Sequence, residues 1–97
     1  MKERFGAFLA DGEQANAFRF IEVEPAVARA EHVVFDLEGV TNMTDSFGNA
    51  LFATLFQNHP ELMKGGVEFR NCSPLLRILI SAATNFGIVS ARKRQAA

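Results

Sequence analysis

His32-Val33-Val34-Phe35-Asp36-Leu37 is a continuous β-branched and aromatic run without alternation, the pattern of a central strand covered on both faces. Glu38-Gly39 closes it. After a loop containing Val40 and Met43, Thr44-Asp45-Ser46 opens a helix, each residue able to cap the free N–H groups of the first turn. Phe47, Ala50, Leu51, Thr54 and Leu55 then recur at helical spacing and predict a buried stripe with one polar member. The Thr54 hydroxyl is expected on the carbonyl of Ala50, one turn back. Asn58-His59-Pro60 ends the helix and Lys64-Gly65-Gly66 turns the chain. Val67-Glu68-Phe69-Arg70 alternates apolar with charged side chains, as a strand with one face in the core. Strand, helix, strand makes a right-handed crossover. Residues 32–37 and 66–70 are therefore predicted parallel and adjacent, with the helix of residues 45–58 on one face.

Working outward toward the N-terminus, Phe5-Gly6-Ala7-Phe8-Leu9 is a short apolar run ended by Asp11-Gly12, a first strand. From Gly12 to Ala30 two patterns compete. Asp11 with Gln14 forms a capping box and Ala15, Phe18 and Glu22 keep helical spacing, whereas alternation through residues 18–23 also fits a strand. Helix is favoured, kinked or restarted near Pro25. Toward the C-terminus, Ser73 as N-cap and Pro74 at the first helical position begin a helix through Leu75, Leu76, Ile78, Leu79, Ile80, Ala82 and Ala83. A helix apolar over so much of its circumference must be nearly engulfed, by its own domain or by a second copy packing on residues 74–84. Gly87-Ile88-Val89 predicts a last short strand and residues 91–97 a frayed polar tail.

The whole is one α/β domain over residues 1–90, with about four strands, mixed or mostly parallel, against about three helices. Ninety-seven residues, 48% hydrophobic and 22% charged, suit a single core without disulfide or metal. Ten Phe with no Trp or Tyr supply aromatic bulk with no polar atom to satisfy, which favours dry packing. A net charge of −1 supplies no field that would draw the chain to nucleic acid or an anionic membrane. The single Cys72 and an N-terminus without a secretory apolar segment point to the cytoplasm. The longest uncharged stretches, residues 46–60 and 78–91, fall short of the ~20 residues that span a bilayer.

In open α/β sheets, ligands and partners gather at the carboxyl ends of the strands. One such end carries Asp36, Glu38, Thr44, Asp45 and Ser46, and the other Asn71, Cys72 and Ser73, so a single polar rim is expected there. Ser46 stands out, because a phosphate in the first turn of a helix meets free N–H groups and the positive end of the macrodipole. Most Ser, Thr and Asp residues before a helix are caps alone. The carboxylates Asp36, Glu38 and Asp45 form a weak metal or phosphoacceptor pattern, and His32 and His59 lack a Cys partner at ligand spacing. Neither histidine falls on the rim to activate Ser or Cys72, so no catalytic residue, cofactor or metal is assigned and the chain is expected not to be an enzyme. The alternative reading is a small-anion or nucleotide site at the helix N-termini after Ser46 and Ser73.

Val33-Val34-Phe35-Asp36-Leu37-Glu38-Gly39-Val40 followed by Met43-Thr44-Asp45-Ser46-Phe47-Gly48-Asn49-Ala50-Leu51-Phe52 resembles the STAS-like family. That family is distantly similar to the STAS domains of anti-sigma-factor antagonists and sulfate transporters. The agreement extends through His59-Pro60 and Asn71-Cys72-Ser73-Pro74. In the antagonists, Asp-Leu-Ser and an apolar loop lead to Asp-Ser-Ser-Gly-Leu, whose second serine is phosphorylated by the partner kinase. Counted from Asp36 that serine is Ser46, with Thr44 in place of Asp and Phe47 in place of Gly. One extra loop residue instead matches Asp45, Ser46 and Gly48 and sets Phe47 at the phosphoacceptor position. The resemblance implies a bacterial regulatory interaction module. Its rim of Asp36, Glu38, Thr44, Asp45, Ser46, Asn71 and Ser73 would dock a protein such as a histidine-kinase-like ATPase or anti-sigma-type kinase.

Overall fold

The computed structural model describes residues 1–96. Four helices and four short strands follow in chain order: α1 (Lys2–Phe5), β1 (Phe8–Leu9), α2 (residues 12–28), β2 (Val33–Asp36), β3 (Asn42–Met43), α3 (residues 45–58), a 3₁₀ turn (Pro60–Lys64), β4 (Val67–Arg70) and α4 (Pro74–Ala96). β2 and β4 are parallel neighbours as predicted, with Val33 opposite Val67 and Asp36 opposite Arg70. The four strands form two separate two-stranded ladders, because β1 pairs in parallel only with β3. The cause is a tight turn after β2. Asp36 Oδ1 accepts from the Glu38 N–H at 3.0 Å, Gly39 takes φ 79°, and the Val40 N–H bonds the Leu37 carbonyl. The chain resumes one ladder over.

β2 is consequently not covered on both faces. Phe35 and Leu37 are buried while Val34 and Asp36 face outward. The first strand is also shorter than the apolar run predicted, since Phe5 ends α1 and packs edge-on against Phe18 and Phe47.

The ambiguous segment is helical throughout. Asp11 caps α2 by accepting from the Glu13 and Gln14 N–H groups at 2.9 and 3.4 Å. Pro25 neither breaks nor ends it, because a π turn over Arg19–Val23 leads into a fresh α-helical segment, Glu24–Ala28, with Pro25 in its first turn. α3 holds a second π turn, Asn49–Ala53. The Thr54 hydroxyl therefore bonds the Asn49 carbonyl at 3.0 Å, five residues back, instead of Ala50. The extra residue widens the buried stripe: Phe47, Leu51 and Leu55 are joined by Phe52, Ala53 and Phe56, whereas Ala50 and Thr54 are only half-buried. Phe35, Phe52 and Phe69 pack with ring centroids 5.3 to 5.6 Å apart, an apolar centre with no side-chain polar atom to satisfy.

α4 begins as predicted, the Ser73 hydroxyl accepting from the Leu76 N–H at 3.2 Å with Pro74 next. It then runs unbroken to Ala96, so Gly87-Ile88-Val89 is helix and not a strand. The predicted tail of residues 91–97 begins inside this helix, with Ala91 buried; Ala97 lies outside the described residues. Gly87 is there for contact. A Cβ on it would stand 2.9 Å from the carbonyl carbon and 3.1 Å from the Cα of Ala53, so α3 and α4 touch backbone to backbone. By length and composition Pro74–Lys93 is long and apolar enough to cross a membrane, with mean hydropathy 1.4, contrary to the reading from uncharged stretches. Arg77 and the basic end are too few to lower it. One face of the helix, from Leu76 through Ile80, Ala83 and Thr84 to Ile88 and Ala91, is buried in the domain.

Candidate functional site

The expected rim is two clusters, because β2 leads into the tight turn and α3 starts from the other ladder. At the carboxyl end of β3, Thr44 is the N-cap of α3. Its hydroxyl accepts from the Phe47 N–H at 3.2 Å and donates to the Ala10 carbonyl at 2.9 Å. Its own N–H bonds the Leu9 carbonyl. One residue thus satisfies the helix start and ties it to β1. Asp45 and Ser46 are exposed, and among the described residues the Ser46 hydroxyl has no hydrogen-bond partner. Phe47, next in the chain, is fully buried, so of the two positions matched to a phosphoacceptor only Ser46 offers a hydroxyl to solvent.

The backbone of Ser46 lies against the start of α2. A Cβ on Gly12 would be 3.1 Å from the Ser46 carbonyl oxygen and 3.3 Å from its Cβ. Two helix N-termini, each the positive end of its dipole, therefore meet at Ser46, with Asp11 and Asp45 the residues just before Gly12 and Ser46. Behind Thr44 and Asp45 is a cleft of about 210 Å³, walled by Met43, Leu79, Ala82 and Phe86.

The second cluster is built around Asp36. Its Oδ1 accepts from Asn71 Nδ2 at 2.9 Å and from the Glu38 N–H, and the Met1 ammonium donates to its carbonyl at 3.0 Å. The Asn71 amide, then the Glu38 N–H, with help from the N-terminal ammonium and Arg70, hold the Asp36 carboxyl below its usual range. Asn71 takes φ 56°, the left-handed conformation that Asn tolerates better than most residues, and so lets β4 turn into α4. The predicted neighbours Asp36, Glu38 and Asn71 are brought together, with Ser73 two residues on. No hydrogen bond, ion pair or shared cavity among the described residues links them to Thr44, Asp45 and Ser46. Cys72 is half-buried and burial pushes its thiol up, away from a reactive thiolate. Among the described residues no three His, Cys, Asp or Glu side chains converge as metal ligands.

A third cluster had no sequence signal, because its members are 31 to 35 residues apart across α2 and α3. Arg19, buried, donates from Nε to the Ala50 carbonyl at 2.9 Å, a carbonyl displaced by the π turn of α3. Its guanidinium also pairs with Glu24 and with Asn16. Glu24 accepts from Asn58 Nδ2 at 3.1 Å and meets His59 Nε2 at 2.7 Å. Partial burial pushes the Glu24 carboxyl up, but these hydrogen bonds and the Arg19 charge outweigh it and hold the group below its usual range. The arrangement is a structural clasp between two helices.

Parallel ladders joined by a covering helix, with a capped and exposed helix start, define a small α/β domain of the STAS-like kind. The model of a family described as a STAS-like domain of unknown function (DUF4325) matches residues 14–75, most of the chain, and the chain belongs to that family. Comparison with curated proteins and with solved structures gives no match.

Proposed function

We propose that this domain is a regulatory protein-interaction module that docks its partner on the exposed start of α3, with Asp45 as a charged contact and Ser46 as hydroxyl contact and phosphoacceptor. The observation that carries the reading is the division of labour between Thr44 and Ser46. Thr44 alone does the capping, so the Ser46 hydroxyl has no structural duty. The partner class, a histidine-kinase-like ATPase, is what the STAS-like resemblance suggests. In that reaction the Ser46 oxygen attacks the γ-phosphorus of ATP, its proton leaves to solvent or a kinase base, and ADP departs. The product adds about −1.5 to −2 charge beside two helix N-termini, which stabilise it, and beside Asp11 and Asp45, which it repels. The docking surface becomes more negative locally while the fold is kept.

Incubation of the full chain with ATP and a purified histidine-kinase-like ATPase, followed by intact mass, tests this. One phosphate in the wild type and none in Ser46→Ala is expected. No incorporation, or incorporation unaffected by Ser46→Ala, overturns the phosphoacceptor role.

The close approach of Gly12 and Ser46 favours a second reading, a small anion or nucleotide held where the two helix starts meet. Ser73 is no part of that junction. A bound ligand at a hundredfold its dissociation constant stabilises by about 2.7 kcal/mol, readily seen in a thermal-shift screen of nucleotides and phosphate. No shift removes this reading.

A further inference from the structure

We propose that the groove lined by β4, the 3₁₀ turn and α4 is a binding site for a small amphipathic carboxylate, its apolar part laid against Phe56, Phe69 and Ile80 and its carboxylate paired with Arg77. The groove has a volume of about 380 Å³, within the ~300 to 1,000 Å³ of small-ligand sites. It shares no residue with the cleft behind Thr44 and Asp45 and rests on none of the observations made at the start of α3. β4 pairs only with β2, and Val67 and Phe69 pack on the core yet stay half-buried, because they also line the groove. Phe56 and Ile80, both buried, lie deepest. Phe69 is held in place by stacking on Phe35 and meeting Phe52 edge-on, so this apolar surface is formed before any ligand arrives. Met63, exposed at the rim, is unbranched and can fit itself to what lies below.

The polar groups set the ligand's charge. Arg77 is the only charged residue from Pro74 to Ala91 and the only one lining the groove. Among the described residues its guanidinium has no ion-pair or hydrogen-bond partner. Its fork of N–H donors matches the two oxygens of a carboxylate, and Ser81, one turn on, adds a hydroxyl that can donate to the same group. One guanidinium suits a monoanion; no second cation lines the groove to hold a phosphate or nucleotide. The buried Thr84 hydroxyl is already spent on the Ser81 carbonyl at 3.0 Å, so the inner groove asks for no polar atom. Cys72 adds no negative charge against the anion, since burial pushes its thiol up more than the nearby Arg77 charge pulls it down. An apolar interior with one cation at its side is the complement of an acid with a hydrocarbon body.

Titration calorimetry of the full chain with octanoate, beside the uncharged octanamide, tests this. Saturable binding of octanoate is expected, with octanamide weaker by about tenfold or more. Arg77→Gln, at an exposed position, should bring octanoate down to the level of octanamide while the melting temperature stays unchanged. In amide-resolved NMR spectra of the wild type, octanoate should move the signals of Phe69, Cys72, Ile80 and Thr84. No saturable binding at millimolar concentration overturns the proposal, and so does octanamide binding as tightly as octanoate or Arg77→Gln leaving the affinity unchanged. Signal changes confined to the exposed Ile78 and Phe86 would mark unspecific apolar contact and overturn it too. Binding of a peptide with a free C-terminal carboxylate, without binding of octanoate, would assign the groove to a protein tail instead and overturn it as well.

Discussion

The two ends of α3 meet the rest of the molecule in opposite ways. At its middle and C-terminal end a π turn offers the Ala50 carbonyl to the buried Arg19, Ala53 touches the backbone of Gly87, and Asn58 and His59 close on Glu24. At its N-terminal end Thr44 does the capping and holds the Ala10 carbonyl, Phe47 is buried and Gly12 abuts Ser46, yet the side chains of Asp45 and Ser46 face solvent. The polar clasp lies at one end of the helix, and two side chains without a structural partner among the described residues lie at the other. A change of charge at Ser46 should therefore leave the fold in place.

Substitutions should expose this contrast, beginning with the largest effect. Phe52→Ala, at the fully buried aromatic centre, should cost about 3 to 5 kcal/mol, read as a fall in the urea midpoint. Gly87→Ala drives a methyl into the Ala53 backbone, which no rotamer change relieves, and should cost about 3 kcal/mol in the same assay. Glu24→Gln, which leaves buried Arg19 without its counter-charge, should cost about 2 kcal/mol.

The clasp should also appear in the pH profile. The folded-state pKa of Glu24 is lowered, so its contribution is fully present above the unfolded carboxylate pKa and is lost as pH falls through the folded value. Glu24→Gln should therefore flatten the acid limb of stability below about pH 4.3. An unchanged acid limb would break the contrast from its structural side.

At the other end of α3, Thr44→Ala should cost only about 1 kcal/mol, the worth of one cap. Ser46→Asp should change stability by less than about 0.5 kcal/mol. A loss at Ser46 equal to that at Thr44 would mean that the serine shares the capping.

The sequence revealed what short-range chemistry writes. Asp11 and Ser73 as caps, the end of β2 at Glu38-Gly39, the alternation in β4 and the parallel β2–β4 crossover all follow from residues within one turn or one crossover of each other. Which of Thr44, Asp45 and Ser46 caps α3 was not legible, because all three suit the role and only the Ala10 carbonyl across the ladder decides it. The π turns were hidden for a similar reason: the bond from Arg19 to Ala50 spans 31 residues. Gly87 was misread as the mark of a strand because a glycine inside an apolar run signals a break. Here it is the one residue small enough for two backbones to touch. The four-residue turn from Leu37 to Val40 separated Asp36 from Ser46, and no spacing rule distinguishes such a turn from a loop that keeps both on one edge.

The most direct measurement is the affinity of wild type and Ser46→Asp for the histidine-kinase-like ATPase, taken side by side with their melting temperatures. An affinity loss of about tenfold or more at an unchanged melting temperature is the predicted result. Equal affinity, or a loss that merely follows a lowered melting temperature, would contradict the idea that the start of α3 is a surface kept for a partner.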